Sequence, residues 1–195
     1  MAEELDLRGL KCPEPAIRTG RALRNADELL VIVDDDDAIQ NISRGAIKRG
    51  YKVNVRTKGK DHYLQISKIE GSEERSRPDL GKKASPTVVF FPSNTVGRGE
   101  DELGSILAKS LIYSILEVEP KPDVFIFMNS GVKLAVDGSE SLEDLEKLRD
   151  GGVEILVCGT CLDFFDLKDR LAVGEISNAY TIAEILLGAG KVVRF

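Results

Sequence analysis

One polar stretch divides this chain of 195 residues. Residues 71–86 contain a single large aliphatic side chain, Leu80, among charged residues, glycines and prolines. Such a composition cannot form a core and is typical of a linker. We therefore predict two domains, spanning residues 1–70 and 87–195, with residues 71–86 between them.

The first segment alternates strand and helix patterns in the order β-α-β-α-β-β. Apolar residues recur at helical spacing after position 15 and again after position 37, and the segments 29–33 and 51–55 have the composition of strands. Two helices on one face of a sheet make a two-layer α/β sandwich. The acidic run Asp34–Asp37 precedes the second helix, where carboxylates stabilise the helix dipole, so we interpret it as a cap rather than a metal site.

The second segment predicts a mostly parallel, doubly wound α/β domain. Buried strands near 88–91, 124–128 and 153–157 alternate with helices, and a last helix and strand follow. In open parallel sheets, the functional residues lie beyond the carboxyl ends of the strands. The three loops after these strands are 92–99, 129–133 and 158–161. We expect Cys158 and Cys161 to face Asn129, Gly131 and Lys133 there.

Cys12 lies directly before Pro13, and a proline is well tolerated at the first position of a helix. That makes Cys12 a candidate helix N-cap, where unpaired N–H groups favour a thiolate. Arg8 and Lys11 could add positive potential, but we favour solvated surface charge as the role of both. The alternative for Cys12 is a small residue of the core.

Cys158 and Cys161 are two residues apart along the chain and allow three interpretations. They could form a redox dithiol, or one could carry a persulfide while the other supports it, or both could be core thiols. A structural zinc site is not favoured, because Cys12 and His62 are the only further cysteine and histidine.

Other classes of function are disfavoured by charge and by motifs. Residues 87–195 hold 10 Lys and Arg against 18 Asp and Glu, and the whole chain has a formal charge of −6, which argues against nucleic-acid binding. The turn Gly97-Arg98-Gly99 is followed by Glu100, Asp101 and Glu102, which would repel a pyrophosphate. His62, the only histidine, is predicted to lie on the surface in a turn, so no Ser-His-Asp or Cys-His system is expected.

Compartment is predicted from the cysteines and from the start of the chain. An odd number of cysteines without repeated spacing indicates reduced thiols. The acidic start lacks the apolar region of a signal peptide, and no apolar run approaches the roughly 20 residues of a membrane span. We expect a cytoplasmic protein that does not bind membranes.

Residues 5–15, with Cys12-Pro13-Glu14-Pro15 at their end, resemble the signature of the TusA/SirA sulfur-carrier family. The C-terminal half is similar to the DsrE/DsrF-like family. The runs that carry this second resemblance are 96–104, 129–134, 158–163 and 173–178. Sulfurtransferase-like proteins of selenium metabolism join the two domains in this order.

The resemblance implies that Cys12 holds a persulfide and that Cys161 or Cys158 is the acceptor. Arg8, Glu14, Asn129 and Lys133 are the candidate supporting residues. A relay of sulfur or selenium is then expected, from a cysteine desulfurase or another donor to an acceptor protein. The resemblance also implies self-association through the C-terminal domain. No metal or organic cofactor is required, because the thiolate is both nucleophile and carrier. A dithiol redox module and a non-catalytic regulatory or assembly protein remain alternatives.

Overall fold

The structure, a computed structural model, describes residues 3–11, 13–69 and 85–195. The described residues form two compact units, each with its own hydrophobic core. Cys12 lies outside the described residues, and so does the predicted linker up to residue 84. Ser85 and Pro86 are described, and the Pro86 carbonyl accepts a hydrogen bond from the N–H of Gly190.

The N-terminal unit has the predicted element order. Its elements are β1 (Glu3–Asp6), α1 (Glu14–Ala22), β2 (Glu28–Val33), α2 (Asp36–Lys48), β3 (Tyr51–Lys58) and β4 (Asp61–Lys68). The sheet order is β1-β2-β4-β3, and β1 pairs with β2 in parallel while the other pairs are antiparallel. Helix α1 begins at Glu14 with Pro13 at the N-cap, one residue later than predicted.

One face of this sheet is buried under both helices. Alternate residues of β2 and β4, such as Val31 and Leu64, share a cluster with Ile42 and Ala46 of α2. Successive side chains of a strand point to opposite faces, so a single apolar face suffices for this core. Asp35 caps α2 by accepting a hydrogen bond from the N–H of Ala38, as the acidic run predicted.

The C-terminal unit is built on five strands and contains short elements that the sequence pattern did not predict, namely α5, β8 and two 3₁₀ helices. Its strands are β5 (Thr87–Phe91), β6 (Val124–Phe127), β7 (Glu154–Cys158), β8 (Glu175–Ser177) and β9 (Lys191–Arg194). Its α-helices are α3 (Asp101–Glu117), α4 (Leu142–Asp150), α5 (Gly159–Phe164) and α6 (Ala179–Gly188), and 3₁₀ helices span Asn129–Ala135 and Lys168–Arg170. The prediction of a loop at 158–161 was therefore wrong: Cys158 ends β7 and Cys161 lies in α5.

The order of the strands creates a switch point in this sheet. All pairs in β8-β7-β6-β5-β9 are parallel. The chain steps outward from β5 to β8 and then returns to the other side of β5 as β9. Right-handed crossovers place the connections on one face before this reversal and on the other face after it. The neighbouring strands β7 and β8 therefore lead to opposite faces, which is where ligand crevices form in open α/β sheets.

The core of this unit explains why its central strands β5, β6 and β7 consist almost entirely of apolar residues. Phe91, Phe125 and Phe127 are fully buried, and the centroids of their rings lie 5.7–6.2 Å apart. Strands that are covered on both faces need apolar residues at every position. Among the described residues, no helix is long and apolar enough to cross a membrane.

Candidate functional site

Three chain segments meet at the carboxyl edge of the parallel sheet, as the topology predicted. The hydroxyls of Ser93, after β5, and Ser130, after β6, are 3.3 Å apart. The N–H of Asn94 also donates to the Ser130 hydroxyl, at 3.3 Å. The third segment is α5, which starts at the end of β7. The edge is therefore held together by polar contacts between segments far apart in sequence.

The segment after β6 lies close against the end of β5. A Cβ at Gly131 would collide with the carbonyl oxygen of Phe91, so only glycine fits there without a shift of the backbone. The N–H of Gly131 donates to the carbonyl of Met128. Asn129 has φ +48°, in the left-handed region that asparagine enters more readily than most residues. This tight turn fixes the direction of the Asn129 N–H.

The N–H of Asn129 donates a hydrogen bond to the sulfur of Cys161. The distance from Asn129 N to Cys161 Sγ is 3.1 Å, and the two residues are 32 positions apart. The predicted neighbourhood of Asn129 and Cys161 is thus present, but through the backbone of Asn129. Cys161 is partly buried and occupies the first turn of α5. Its sulfur is therefore held by a fixed donor at the edge of the sheet while part of the residue remains exposed.

Cys158 is in a different environment. It is 2% exposed and belongs to the hydrophobic core. Its register partner on β8 is Ser177, which is fully buried, and in-register residues of parallel strands point to the same face. The hydroxyl of Ser177 has no hydrogen-bond partner in the part of the chain that the structure describes. A macromolecular donor can reach Cys161 more easily than Cys158.

Lys133 contacts α5 through an aromatic ring. Its Nζ lies 4.6 Å from the centroid of the Phe165 ring, the geometry of a cation–π contact. The N–H of Phe165 donates to the carbonyl of Cys161. Lys133 therefore brings positive charge to the C-terminal end of α5, and its recorded partner is Phe165 rather than either thiol.

Arg8, predicted to support Cys12, is bound by two carboxylates. Its guanidinium lies 2.6 Å from Asp6 and 2.8 Å from Asp61. These hydrogen bonds raise the pKa of Arg8, chiefly through Asp6, and the hydrogen bond from Arg8 lowers the pKa of Asp6. The charge of Arg8 is thus compensated locally. Glu14 pairs with Arg18 at 3.0 Å across one turn of α1.

The prediction of a surface position in a turn was wrong for His62. The residue lies in β4 and its side chain is 14% exposed. Its Nδ1 is 3.0 Å from the Thr57 hydroxyl, and its Nε2 is 3.4 Å from Asp36. Among the described residues, no three Cys, His, Asp or Glu side chains are grouped so that they could hold a metal ion.

Sequence reasoning did not single out four residues with contacts at this edge: Ser93, Ser130, Phe165 and Ser177. Ser177 was missed because β8 is only three residues long. Ser93 and Ser130 directly follow residues that were named, so their positions after two strands were the available signal.

Comparison with known families matches both units. Residues 3–68 match the family described as Sulfurtransferase TusA, and residues 101–195 match the DsrE/DsrF-like family. The chain joins a TusA-like domain to a DsrE/DsrF-like domain. Both families are related to sulfur relay, which supports a sulfur-carrier role for this fusion.

Two solved structures are similar to the fusion over part of its length. The ychN protein of E. coli is 19% identical, with 56% of this chain and 99% of that chain covered and a TM-score of 0.44. MTH1491 of Methanobacterium thermoautotrophicum, a protein of unknown function, is 19% identical over the same shares, with a TM-score of 0.40. No curated protein sequence matches the chain significantly.

Proposed function

We propose that this protein carries sulfur as a cysteine persulfide and passes it to a partner protein. Cys12 accepts the sulfur from a cysteine desulfurase or a similar donor. The thiolate of Cys161 then attacks the outer sulfur of the Cys12 persulfide, and the bond between that sulfur and Cys12 breaks. Cys12 leaves as a thiolate, and Cys161 becomes the persulfide. The acceptor protein takes the sulfur from Cys161 by the same exchange.

The observation that carries this proposal is the contact between the N–H of Asn129 and the sulfur of Cys161. The attacking thiolate of Cys161 carries negative charge on Sγ, and a fixed N–H group stabilises such charge without reorganisation. Cys161 is also the more exposed of the two C-terminal cysteines. Both features favour Cys161 over Cys158 as the thiol that receives sulfur.

We further propose that the protein also transfers selenium. The order of the two domains resembles that of the selenium metabolism protein YedF, and a selenopersulfide would use the same thiolates. Transfer of selenium can be tested by loading the protein from selenocysteine in place of cysteine and measuring the mass of the adduct.

Self-association of the C-terminal unit belongs to the proposal as well. Leu103, Ile106 and Tyr113 of α3 are each more than half exposed, and grouped apolar residues on a surface mark interaction sites. Sedimentation of the full chain and of Ile106→Lys tests this point. An oligomer that dissociates in the variant supports it, whereas a wild-type monomer at all concentrations contradicts it.

The relay is tested by mass spectrometry after incubation with a cysteine desulfurase and cysteine. Trypsin separates the sites, because cleavage after Lys11 and Arg18 isolates Cys12, and cleavage after Arg149 and Lys168 isolates Cys158 and Cys161 together. We expect a gain of one sulfur on the Cys12 peptide of the wild type and, at early times of the incubation, on peptide 150–168 as well. Cys161→Ser should keep the adduct on Cys12 and lose it on peptide 150–168, and Cys158→Ser is the matched control that should keep both.

Absence of an adduct on every peptide would contradict the carrier function. An adduct on peptide 150–168 that survives in Cys161→Ser and disappears in Cys158→Ser would reverse the roles of the two thiols.

A further inference from the structure

We propose that Cys158 is a resolving thiol that discharges a persulfide on Cys161. In this step a disulfide forms between Cys158 and Cys161, and the outer sulfur leaves as hydrosulfide. The inference rests on the proposed function, because it requires sulfur on Cys161. It adds that the sulfur on Cys161 is released as hydrosulfide when no acceptor protein is bound.

The backbone brings the two thiols within range of each other. Cys158 is the N-cap of α5, with φ −67° and ψ 115°, and Cys161 is the third residue of that helix. An N-cap side chain lies beside the backbone of the second and third helical residues. Residues three apart at a helix surface have Cβ atoms about 5–6 Å apart, and disulfides form when Cα atoms are roughly 4.4–6.8 Å apart. By this spacing we expect the two Cα atoms to lie within the range that a disulfide bridges.

Burial gives the two thiols different roles. Cys161 is partly exposed, so sulfur can enter and leave there, while Cys158 is 2% exposed and cannot be approached by another protein in the folded chain. The chemistry of Cys158 is then confined to groups within its own unit. Cys161 is the cysteine closest to it in sequence and packs against the same hydrophobic cluster.

The surroundings of Cys158 are more polar than its burial suggests. Ser177 lies in register with it on β8 and is fully buried, and its hydroxyl has no partner within the described ranges. An unsatisfied buried hydroxyl is costly, and such groups are rare in native structures. Both residues are the last of their strands, β7 and β8. The Ser177 hydroxyl and the Cys158 sulfur are not hydrogen-bonded in this structure, so side-chain rotation would be needed for the hydroxyl to donate to an anionic Cys158 sulfur.

The reaction balances without an external oxidant. Cys158 gives up its proton and attacks the inner sulfur of the Cys161 persulfide, forming the new bond as the bond to the outer sulfur breaks. The outer sulfur takes both electrons of the broken bond and leaves as hydrosulfide with the proton. Cys158 is oxidised to the level of a disulfide and the outer sulfur is reduced to sulfide. A dithiol such as dithiothreitol then restores both thiols.

The test uses the full chain with Cys12→Ser, so that only the C-terminal thiols react. The protein is loaded with inorganic polysulfide, desalted and followed over time for hydrosulfide and for the mass of peptide 150–168. We expect the peptide to lose its added sulfur and two hydrogens as hydrosulfide appears. Adding Cys158→Ser or Cys158→Ala should hold the persulfide at least about tenfold longer, since the attacking thiol is absent.

Three results would overturn the proposal, and they have different meanings. A persulfide on Cys161 that decays equally fast with and without Cys158 refutes the resolving role but leaves the carrier function intact. Peptide 150–168 that never takes up sulfur in any variant refutes the carrier function and the resolving role together. The third result comes from oxidising the Cys12→Ser protein with diamide, a test that does not depend on the folding of the Cys158 variants. Failure of Cys158 and Cys161 to form a disulfide in that protein also refutes the proposal.

Discussion

The two units of this chain position their candidate sulfur residues in different ways. In the N-terminal unit the candidate belongs to a contiguous motif directly before α1, and the nearby Arg8 is bound by Asp6 and Asp61. In the C-terminal unit Cys161 receives its N–H donor from Asn129, 32 residues away, at an edge where three segments meet. The first arrangement depends on local sequence, and the second depends on the tertiary fold.

This difference predicts that a backbone clash at the sheet edge is the most damaging change. Gly131→Ala places a Cβ against the carbonyl of Phe91 and should destabilise the C-terminal unit by about 2–3 kcal/mol. The matched control is Gly99→Ala, where a Cβ meets no atom within 4 Å, and the expected change is within about 0.5 kcal/mol. Urea unfolding followed by hydrogen exchange resolves the two units. Equal effects of the two substitutions would show that the edge is not assembled as described.

A buried hydrogen bond gives the corresponding test in the N-terminal unit. The hydroxyl of Tyr51 donates to the carbonyls of Leu23 and Ala26, at 2.9 and 3.1 Å, and joins the end of α1 to β3. Tyr51→Phe should lower the stability of that unit alone by about 1–2 kcal/mol. Tyr113→Phe, at a position 55% exposed, should change little. Loss of exchange protection in the C-terminal unit of Tyr51→Phe would show that the two cores are not independent.

The smallest expected effect concerns the charge of Arg8. Its hydrogen bond lowers the pKa of Asp6 below the ordinary value of 3.8. The pair therefore stabilises the fold fully when the pH is above the pKa that this carboxyl has in the unfolded chain. This stabilisation is lost as the pH falls through the depressed pKa. Arg8→Gln should raise the pKa of Asp6 toward its ordinary value, and NMR titration of the carboxyl measures it. If the pKa of Asp6 is unchanged in Arg8→Gln, Arg8 does not pair with Asp6 as described, and its charge is available to other groups.

Most elements that the sequence predicted are either long or uniformly apolar. Strands β2, β5 and β6 are long or uniformly apolar, and α2 and α3 run for 13 and 17 residues, so their periodicity was visible. The strand β8 has three residues and α5 has six, which is too few for a pattern to emerge. The prediction of a loop at Cys158–Cys161 was wrong for this reason.

The prediction of the site had a related limit, which concerns contacts between residues far apart in the sequence. The meeting of the loops after β5, β6 and β7 followed from the parallel topology alone. The partners of Arg8 did not, because Asp61 is 53 residues away. The burial of Ser177 beside Cys158 depended on finding β8 first. Sequence therefore indicated which edge of the sheet is used, and only the fold distinguishes the two thiols there.

The claim that sulfur enters the C-terminal unit at Cys161 is tested most directly by alkylation of the folded, reduced protein. A brief pulse of iodoacetamide is followed by digestion and fragmentation of peptide 150–168, which assigns the label to each thiol. The account predicts labelling of Cys161 at least about tenfold faster than labelling of Cys158, because buried groups react only after local opening. Equal rates, or faster labelling of Cys158, would contradict it.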